Sequence, residues 1–208
     1  MPGTGNDVRA ALIRQWELIA GHIAGVELSE PSRIAGWTNR EVLAHLYVQP
    51  RLAARFLQSE SGLLPSMGLS ENLRGTKSFR EMIDASAREG AASNKVDLRI
   101  PLVEVRSLVL TADLNSTIVT LQGSILVSDY LVTRCVEAVV HGGDLVQPVA
   151  PDPRAQAIAA KALMEALSVS APHLVNEARA LPVEEWIDVA TGRASASGPL
   201  AAATPVMT

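Results

Sequence analysis

The stretch from Arg134 to Asp144 constrains the fold of this 208-residue chain more than any other part of the sequence. Read as a helix, it places Glu137 and His141 one turn apart on one face, with Arg134 and Asp144 on the same face one turn before and one turn after them. The opposite face is apolar and includes Cys135. Such a helix buries its apolar face, so its single charged stripe has to face either water or a polar cavity.

The composition favours a mainly α fold and argues against several kinds of partner. Hydrophobic residues make up 48% of the chain and aromatic residues only 3%, so aliphatic and alanine packing has to build the core, which suits helices. A formal net charge of -4, without a basic cluster, argues against a nucleic-acid partner. The single cysteine, Cys135, excludes an internal disulfide and a thiolate zinc cluster, and its apolar neighbours indicate a buried, inert thiol.

The sequence gives no sign of a membrane partner or of export. The N-terminal residues lack the pattern of a signal peptide, and no apolar run approaches the length of a membrane span. We therefore expect a cytoplasmic protein.

A second helix supplies a histidine that could face the charged stripe. Thr38 and Glu41 form a capping-box pattern, which predicts a helix from about Thr38 to Leu57. His45 lies within the apolar stripe of this helix, beside Val42 and Leu46. A lone histidine on an apolar face is most often a hydrogen-bonded core residue, but together with Glu137 and His141 it becomes a candidate third metal ligand.

Two imidazoles and one carboxylate, His45, His141 and Glu137, resemble a catalytic zinc site with an open coordination position. The same ligands suit Ni²⁺, Fe²⁺, Mn²⁺ or Co²⁺, because ligand type alone does not select the metal. A metal there would lower the pKa of a bound water or thiol, or polarise a carbonyl. Arg134 and Asp144 are candidates for orienting a ligand or binding a substrate carboxylate. The alternative is that Glu137 and His141 form an ordinary solvated pair, because this spacing is common on helices.

The remaining chain predicts further helices around one short hairpin. The predicted segments are a helix up to Val26, a loop over Ser59–Gly75, helices over Ser78–Ala91 and Pro101–Asp113, a hairpin or two extended arms over Ser116–Val127, a helix capped by Ser128, a helix from Asp152, and a short helix or strand ending at Gly192. We divide the chain into a bundle over residues 6–150, a C-terminal helix and short element packed on it over 151–193, and a disordered tail over 194–208.

Two segments resemble a known family. Residues 36–46, GWTNREVLAHL, and residues 134–145, RCVEAVVHGGDL, resemble the corresponding segments of mycothiol-dependent maleylpyruvate isomerase-like proteins of the DinB-like superfamily. The segment from Trp186 to Arg193 is similar to the ending of many members, so the resemblance spans about residues 8–193. It implies a four-helix bundle with a divalent metal, usually zinc, on His45, Glu137 and His141. In place of the family's tryptophan after its His-Gly pair, this chain has Gly143.

The resemblance implies that mycothiol is the thiol cosubstrate, held by the metal as a nucleophilic thiolate. The predicted function is therefore a mycothiol-using transferase or isomerase that acts on a small electrophile, with Arg134, Asp144 and Arg193 as candidate catalytic residues. The alternative for Arg193 is a cation at a helix C-terminus. The chain after the bundle is short compared with the C-terminal domain of the true isomerases, so the substrate is left open. A non-catalytic DinB-like metal-binding protein of stress response or regulation and a thiol-independent metal hydrolase are the alternative functions, and a homodimer is left open.

Overall fold

The computed structural model describes residues 4–207, apart from the side chains of residues 4–7, 60 and 61. Its α-helices are α1 (Thr4–His22), α2 (Asn39–Leu57), α3 (Leu69–Gly75), α4 (Arg80–Ala92), α5 (Arg99–Thr111), α6 (Val127–Gly143), α7 (Pro153–Ser170), α8 (Val175–Arg179), α9 (Val183–Ala190) and α10 (Leu200–Ala203). Short 3₁₀ turns span Ile23–Gly25, Thr76–Phe79 and Pro172–Leu174, and the strands are β1 (Glu60–Ser61), β2 (Thr117–Val119) and β3 (Ser124–Leu126).

The long helices pack into a bundle, which confirms the predicted mainly α fold. Helix α1 packs against α5, α6 and α7, while α2 packs against α4, α5 and α6. As the composition predicts, the core is chiefly aliphatic, and its largest fully buried side chains include Leu12, Ile19, Leu43, Leu131 and Leu163. No helix within residues 4–207 combines the length and apolar character needed to cross a membrane.

Helix α2 begins where the capping-box pattern predicts. The backbone N–H of Thr38 donates to the Glu41 carboxylate at 2.8 Å, so the side chain closes the first turn. Trp37, just before the cap, is 8% exposed and donates its indole N–H to Asp84 in α4 at 2.7 Å. Gly90 in α4 allows a close approach to α2, because a Cβ there would lie 3.1 Å from the Cβ of Ala44. These contacts hold the start of α2, and with it His45, against the bundle.

The predicted hairpin is present, but its surroundings differ from the prediction. Strand β2 pairs antiparallel with β3, and β1 adds a third strand on the other edge of β2. The predicted loop over Ser59–Gly75 contains β1 and α3. Helix α3 is stabilised at its start by Glu71, which accepts the Gly68 N–H at 2.9 Å, and by burial of Leu73.

Ser128 does not cap the helix that follows, and this prediction was wrong. Helix α6 begins at Val127 and has Leu126 at its N-cap position. The N–H groups of Val127 and Ser128 instead donate to the carbonyls of Ser116 and Leu114, at 2.9 and 3.2 Å. The preceding chain therefore satisfies donors that a capping side chain would otherwise serve.

The C-terminal part is ordered further than its composition predicts. Helix α7 begins where it was predicted, and Asp152 caps it by accepting the N–H groups of Arg154 and Ala155. After Arg193, α10 forms and Val206 is buried, while the N–H groups of Val206 and Met207 donate to the carbonyl of Ala190. This corrects the predicted disorder of residues 194–207; Thr208 lies outside the described residues. The boundary at residue 150 stays a prediction.

Candidate metal centre and adjoining cavity

The three candidate ligands come together between α2 and α6. His45 lies in the middle of α2, whereas Glu137 and His141 lie one turn apart on α6. The Glu137 Oε2 atom is 3.1 Å from His45 Nε2 and 3.3 Å from His141 Nε2. The potential ligand atoms all lie within 4.8 Å of one another. The charged stripe of α6 therefore faces a histidine from another helix and not bulk water.

Burial makes the charges of this group strongly dependent on one another. His45 and Glu137 are 7% and 6% exposed, and the Trp37 ring lies 5.9 Å from the His45 ring. Burial alone would raise the pKa of Glu137, but hydrogen bonds from His141 and His45 outweigh it and hold the pKa well below its usual range. Burial lowers the pKa of His45. The site is thus a buried carboxylate anion that two imidazoles face.

Asp144 fixes the orientation of the His141 ring. Its Oδ2 lies 2.8 Å from His141 Nδ1, which leaves Nε2 facing Glu137. Burial would lower the pKa of His141, but the hydrogen bonds with Asp144 and Glu137 raise it to about 9. Burial would raise the pKa of Asp144, but hydrogen bonds from His141 and Arg193 lower it. A carboxylate behind a histidine is a common arrangement in metal sites, where it orients the coordinating ring.

Arg193 lies behind Asp144, in the turn that follows α9. Its Nε and Nη2 donate to the two Asp144 carboxylate oxygens at 3.1 and 2.7 Å, and its Nη1 donates to the Thr191 carbonyl at 2.7 Å. The last contact also agrees with the alternative prediction of a cation at a helix C-terminus. Asp144 is fully buried, and neither residue lines the cavity described below. Among the predicted catalytic residues, Asp144 therefore contacts His141 without lining the cavity, and Arg193 contacts Asp144.

Gln49 joins His45 to Arg134, a connection that the sequence analysis missed although Gln49 lies one turn after His45. The Gln49 Nε2 is 3.0 Å from His45 Nε2, and Arg134 donates to Gln49 Oε1. Because arginine only donates, the Gln49 amide has to present its oxygen to Arg134 and its N–H to His45. His45 Nε2 thus lies between a donor, the Gln49 N–H, and an acceptor, the Glu137 carboxylate at 3.1 Å. With its proton on Nδ1, the His45 ring would have the Nε2 lone pair that binds metal.

A cavity of about 230 Å³ adjoins the three ligands. His45, Gln49, Arg134 and Glu137 form part of its wall. The remaining lining is mainly apolar and comes from α2, α3, the 3₁₀ turn Thr76–Phe79, α4, α6 and the β2–β3 turn: Val48, Leu52, Phe56, Phe79, Met82, Ile83, Leu121 and Tyr130, with Asn72, Thr76, Ser86, Thr120 and Gln122. Asn72 belongs to the segment predicted as a loop over Ser59–Gly75.

Cys135 and Gly143 lie near the centre without lining the cavity. Cys135 is fully buried with its Sγ 3.7 Å from the Ala155 carbonyl oxygen, and burial raises its pKa to about 12, which agrees with the predicted packing role. A Cβ at Gly143 would meet no atom within 4 Å among the described residues, so this position has free space beside it.

Comparisons with known proteins identify a family and a fold. Residues 9–146 match the family model for the mycothiol maleylpyruvate isomerase N-terminal domain, a range that includes the three candidate ligands and Asp144 but not Arg193. The crystal structure of the mycothiol-dependent maleylpyruvate isomerase superposes with a TM-score of 0.52 at 15% sequence identity, over 77% of this chain and 68% of that one. At this identity the likeness shows a shared fold. No curated protein matches the chain in sequence.

Proposed function

We propose that this chain, which belongs to the mycothiol maleylpyruvate isomerase N-terminal domain family, is a metal-dependent enzyme that uses mycothiol to isomerise a small electrophile or to transfer the thiol to it. The observation that carries the proposal is the convergence of His45, Glu137 and His141 within 4.8 Å beside a cavity that two of them line. The family supports mycothiol as the thiol, and the chemistry of the three side chains supports the metal.

The three side chains fit a divalent ion. Two imidazole nitrogens and one carboxylate oxygen are the ligand set of open catalytic zinc sites, although Ni²⁺, Fe²⁺, Mn²⁺ and Co²⁺ accept it as well. The ion-pair partners of Glu137 within residues 4–207 are both histidines, so its buried negative charge would be compensated by a cation between them. A bound ion of this kind supplies a Lewis acid that lowers the pKa of a thiol and favours its thiolate.

The other residues of the site have separate tasks in this proposal. Asp144 holds the His141 ring by its Nδ1 atom, and Gln49 contacts the His45 ring and helps to orient it. The aliphatic and aromatic walls exclude water from the electrophile, which strengthens the electrostatic interactions within the cavity. Arg134 contributes a positive charge at the wall and thereby favours an electrophile with an anionic or strongly polar group.

The experiment measures metal content first and thiol binding second. Protein purified without added metal should contain about one divalent ion per chain. His45→Ala and His141→Ala should each lose that ion, whereas the matched control His173→Ala, at an exposed histidine, should keep it. Circular dichroism of every variant shows whether the fold is retained. Stoichiometric metal in both folded site variants would exclude the proposed ligand set.

Calorimetric titration with mycothiol then tests the thiol. Binding should be saturable in the metal-loaded protein, and chelation of the metal should abolish it. Metal-dependent binding without turnover of any electrophile would favour the non-catalytic alternative. Turnover that is unchanged when mycothiol is omitted would favour the thiol-independent hydrolase.

A further inference from the structure

Tyr130 extends the polar stripe of α6 by one turn. Tyr130, Arg134, Glu137 and His141 follow one another at helical spacing on a single face of α6. The Arg134 guanidinium lies 5.2 Å from the centre of the Tyr130 ring, and the Phe56 ring packs on the same tyrosine edge to face at 5.8 Å. Tyr130 therefore sits in a fixed position at the cavity wall, between apolar residues and the charged groups.

The Tyr130 hydroxyl is an unused hydrogen-bond donor. The residue is 3% exposed, and its hydroxyl has no hydrogen-bond partner among the described residues. Burial and the nearby Glu137 charge raise the pKa of Tyr130 to about 12, so the hydroxyl keeps its proton. A buried polar group without a partner is uncommon and carries a free-energy cost. Tyr130 lines the cavity, so a small molecule or a water held there can supply the acceptor that the hydroxyl lacks.

We propose that Tyr130 and Arg134 form a subsite that binds an anionic oxygen of the electrophile, with the hydroxyl and the guanidinium donating to the same carboxylate or polarised carbonyl group. The proposal rests on the proposed function for the identity of the cavity as the electrophile site. A carboxylate fits best, because Arg134 supplies the opposite charge and Tyr130 a neutral donor, whereas a cationic ligand would meet Arg134 at the wall. The apolar lining then accommodates the body of the ligand, which has to be small to fit about 230 Å³.

The chain offers a matched pair of tyrosines for the test. Tyr130→Phe removes only the hydroxyl and keeps the contacts of the ring with Phe56 and Arg134. Tyr47→Phe is the control, because Tyr47 is similarly buried but does not line the cavity. The probe is cyclohexanecarboxylate, an unreactive apolar acid, titrated by calorimetry in the absence of thiol. Its binding therefore does not depend on turnover.

We expect cyclohexanecarboxylate to bind the wild type and to bind Tyr130→Phe about tenfold more weakly, since a hydrogen bond to a charged group is lost. Tyr47→Phe should change the affinity less than twofold. In the absence of probe, Tyr130→Phe should melt at the same or a higher temperature than the wild type, because the unpaired hydroxyl has been removed. If the Tyr130 hydroxyl served only the fold, Tyr130→Phe would melt at a lower temperature than the wild type.

Two results would overturn the subsite. One is the absence of saturable cyclohexanecarboxylate binding by the wild type, and the other is equal affinity of the wild type and Tyr130→Phe. Failure of the proposed function is a different outcome, since it appears as a lack of metal or of metal-dependent mycothiol binding in the same preparations. The carboxylate titration is unaffected by that failure.

Discussion

Replacement of Arg193 by methionine tests whether the region after α9 supports the metal centre. Arg193 donates two hydrogen bonds to Asp144, a carboxylate with no exposed surface. Arg193→Met keeps a long apolar side chain but leaves Asp144 with His141 as its remaining charged partner. Breaking a buried ion pair by removing one partner costs about 3–5 kcal/mol, and the remaining His141 contact places the expected loss near ~3 kcal/mol.

The loss should be visible in unfolding and in metal binding. For a chain of this size, ~3 kcal/mol corresponds to a fall in melting temperature of roughly 6–12 °C. Loss of a group that orients a metal ligand weakens metal affinity about 10–100-fold, and Arg193 acts through Asp144, so we expect about tenfold. Urea unfolding of the chelated protein measures the loss of unfolding free energy, and thermal unfolding measures the fall in melting temperature. Competition between the protein and a chromophoric chelator for Zn²⁺ measures the loss of metal affinity.

Arg33→Met is the matched control for this experiment. Arg33 also makes a paired contact, with Asp188 of α9 at 2.7 and 3.3 Å, but both side chains are more than a third exposed, at 41% and 35%. A surface pair of this kind contributes about 0–1 kcal/mol. Equal destabilisation by the two substitutions would refute the reasoning from burial. Wild-type Zn²⁺ affinity in Arg193→Met would refute the positioning role even if the variant were less stable.

Three further outcomes follow from the packing. Leu163→Ala in α7 should lower the free energy of unfolding by about 2–5 kcal/mol in urea titrations, because the side chain is fully buried; a loss well below that range would mean that α7 lies at the periphery of the core. Thr38→Ala should cost about 1 kcal/mol by the same measurement through loss of the capping box; an unchanged midpoint would contradict the role of the cap. Cys135 should react with a thiol reagent only as fast as the protein opens, because its thiol is buried; rapid stoichiometric labelling of the native protein would show that α6 is less protected than the structure indicates.

The parts of the site that could be predicted from sequence are those that local rules determine. The capping box fixes the start of α2 and hence the face on which His45 lies. Helical periodicity places Glu137 and His141 on one face of α6. The packing of α2 against α6 is the additional fact that brings the three together, and before the structure it was a hypothesis from the charged stripe and from the family resemblance.

The parts that were missed depend on contacts between distant segments. Gln49 and Tyr130 appear in the sequence as ordinary helical residues, and their significance comes from Arg134, which donates to one and packs over the other. Serine often caps helices, but at the start of α6 the carbonyl groups of a preceding segment accept the N–H groups of Val127 and Ser128. Val206 is buried and donates its N–H to the Ala190 carbonyl, although the composition of residues 194–208 favours disorder. None of these contacts produces a periodic pattern in the sequence from which it could be predicted.

Asp144 connects the centre to the part of the chain that the family model does not cover. Its backbone carbonyl accepts the Arg33 N–H at 2.9 Å, its side chain holds His141, and Arg193 supplies the arginine cation that pairs with its charge. Removal of the charge at residue 144 or at residue 193 leaves the other charge with fewer compensating partners in a buried place, so we expect the effects of the two residues to be coupled. The double substitution of Asp144→Asn and Arg193→Met should therefore lower the free energy of unfolding by less than the sum of the two single losses. A double-mutant cycle with unfolding free energies as the readout measures this coupling, and additive effects would show that residue 193 acts independently of the centre.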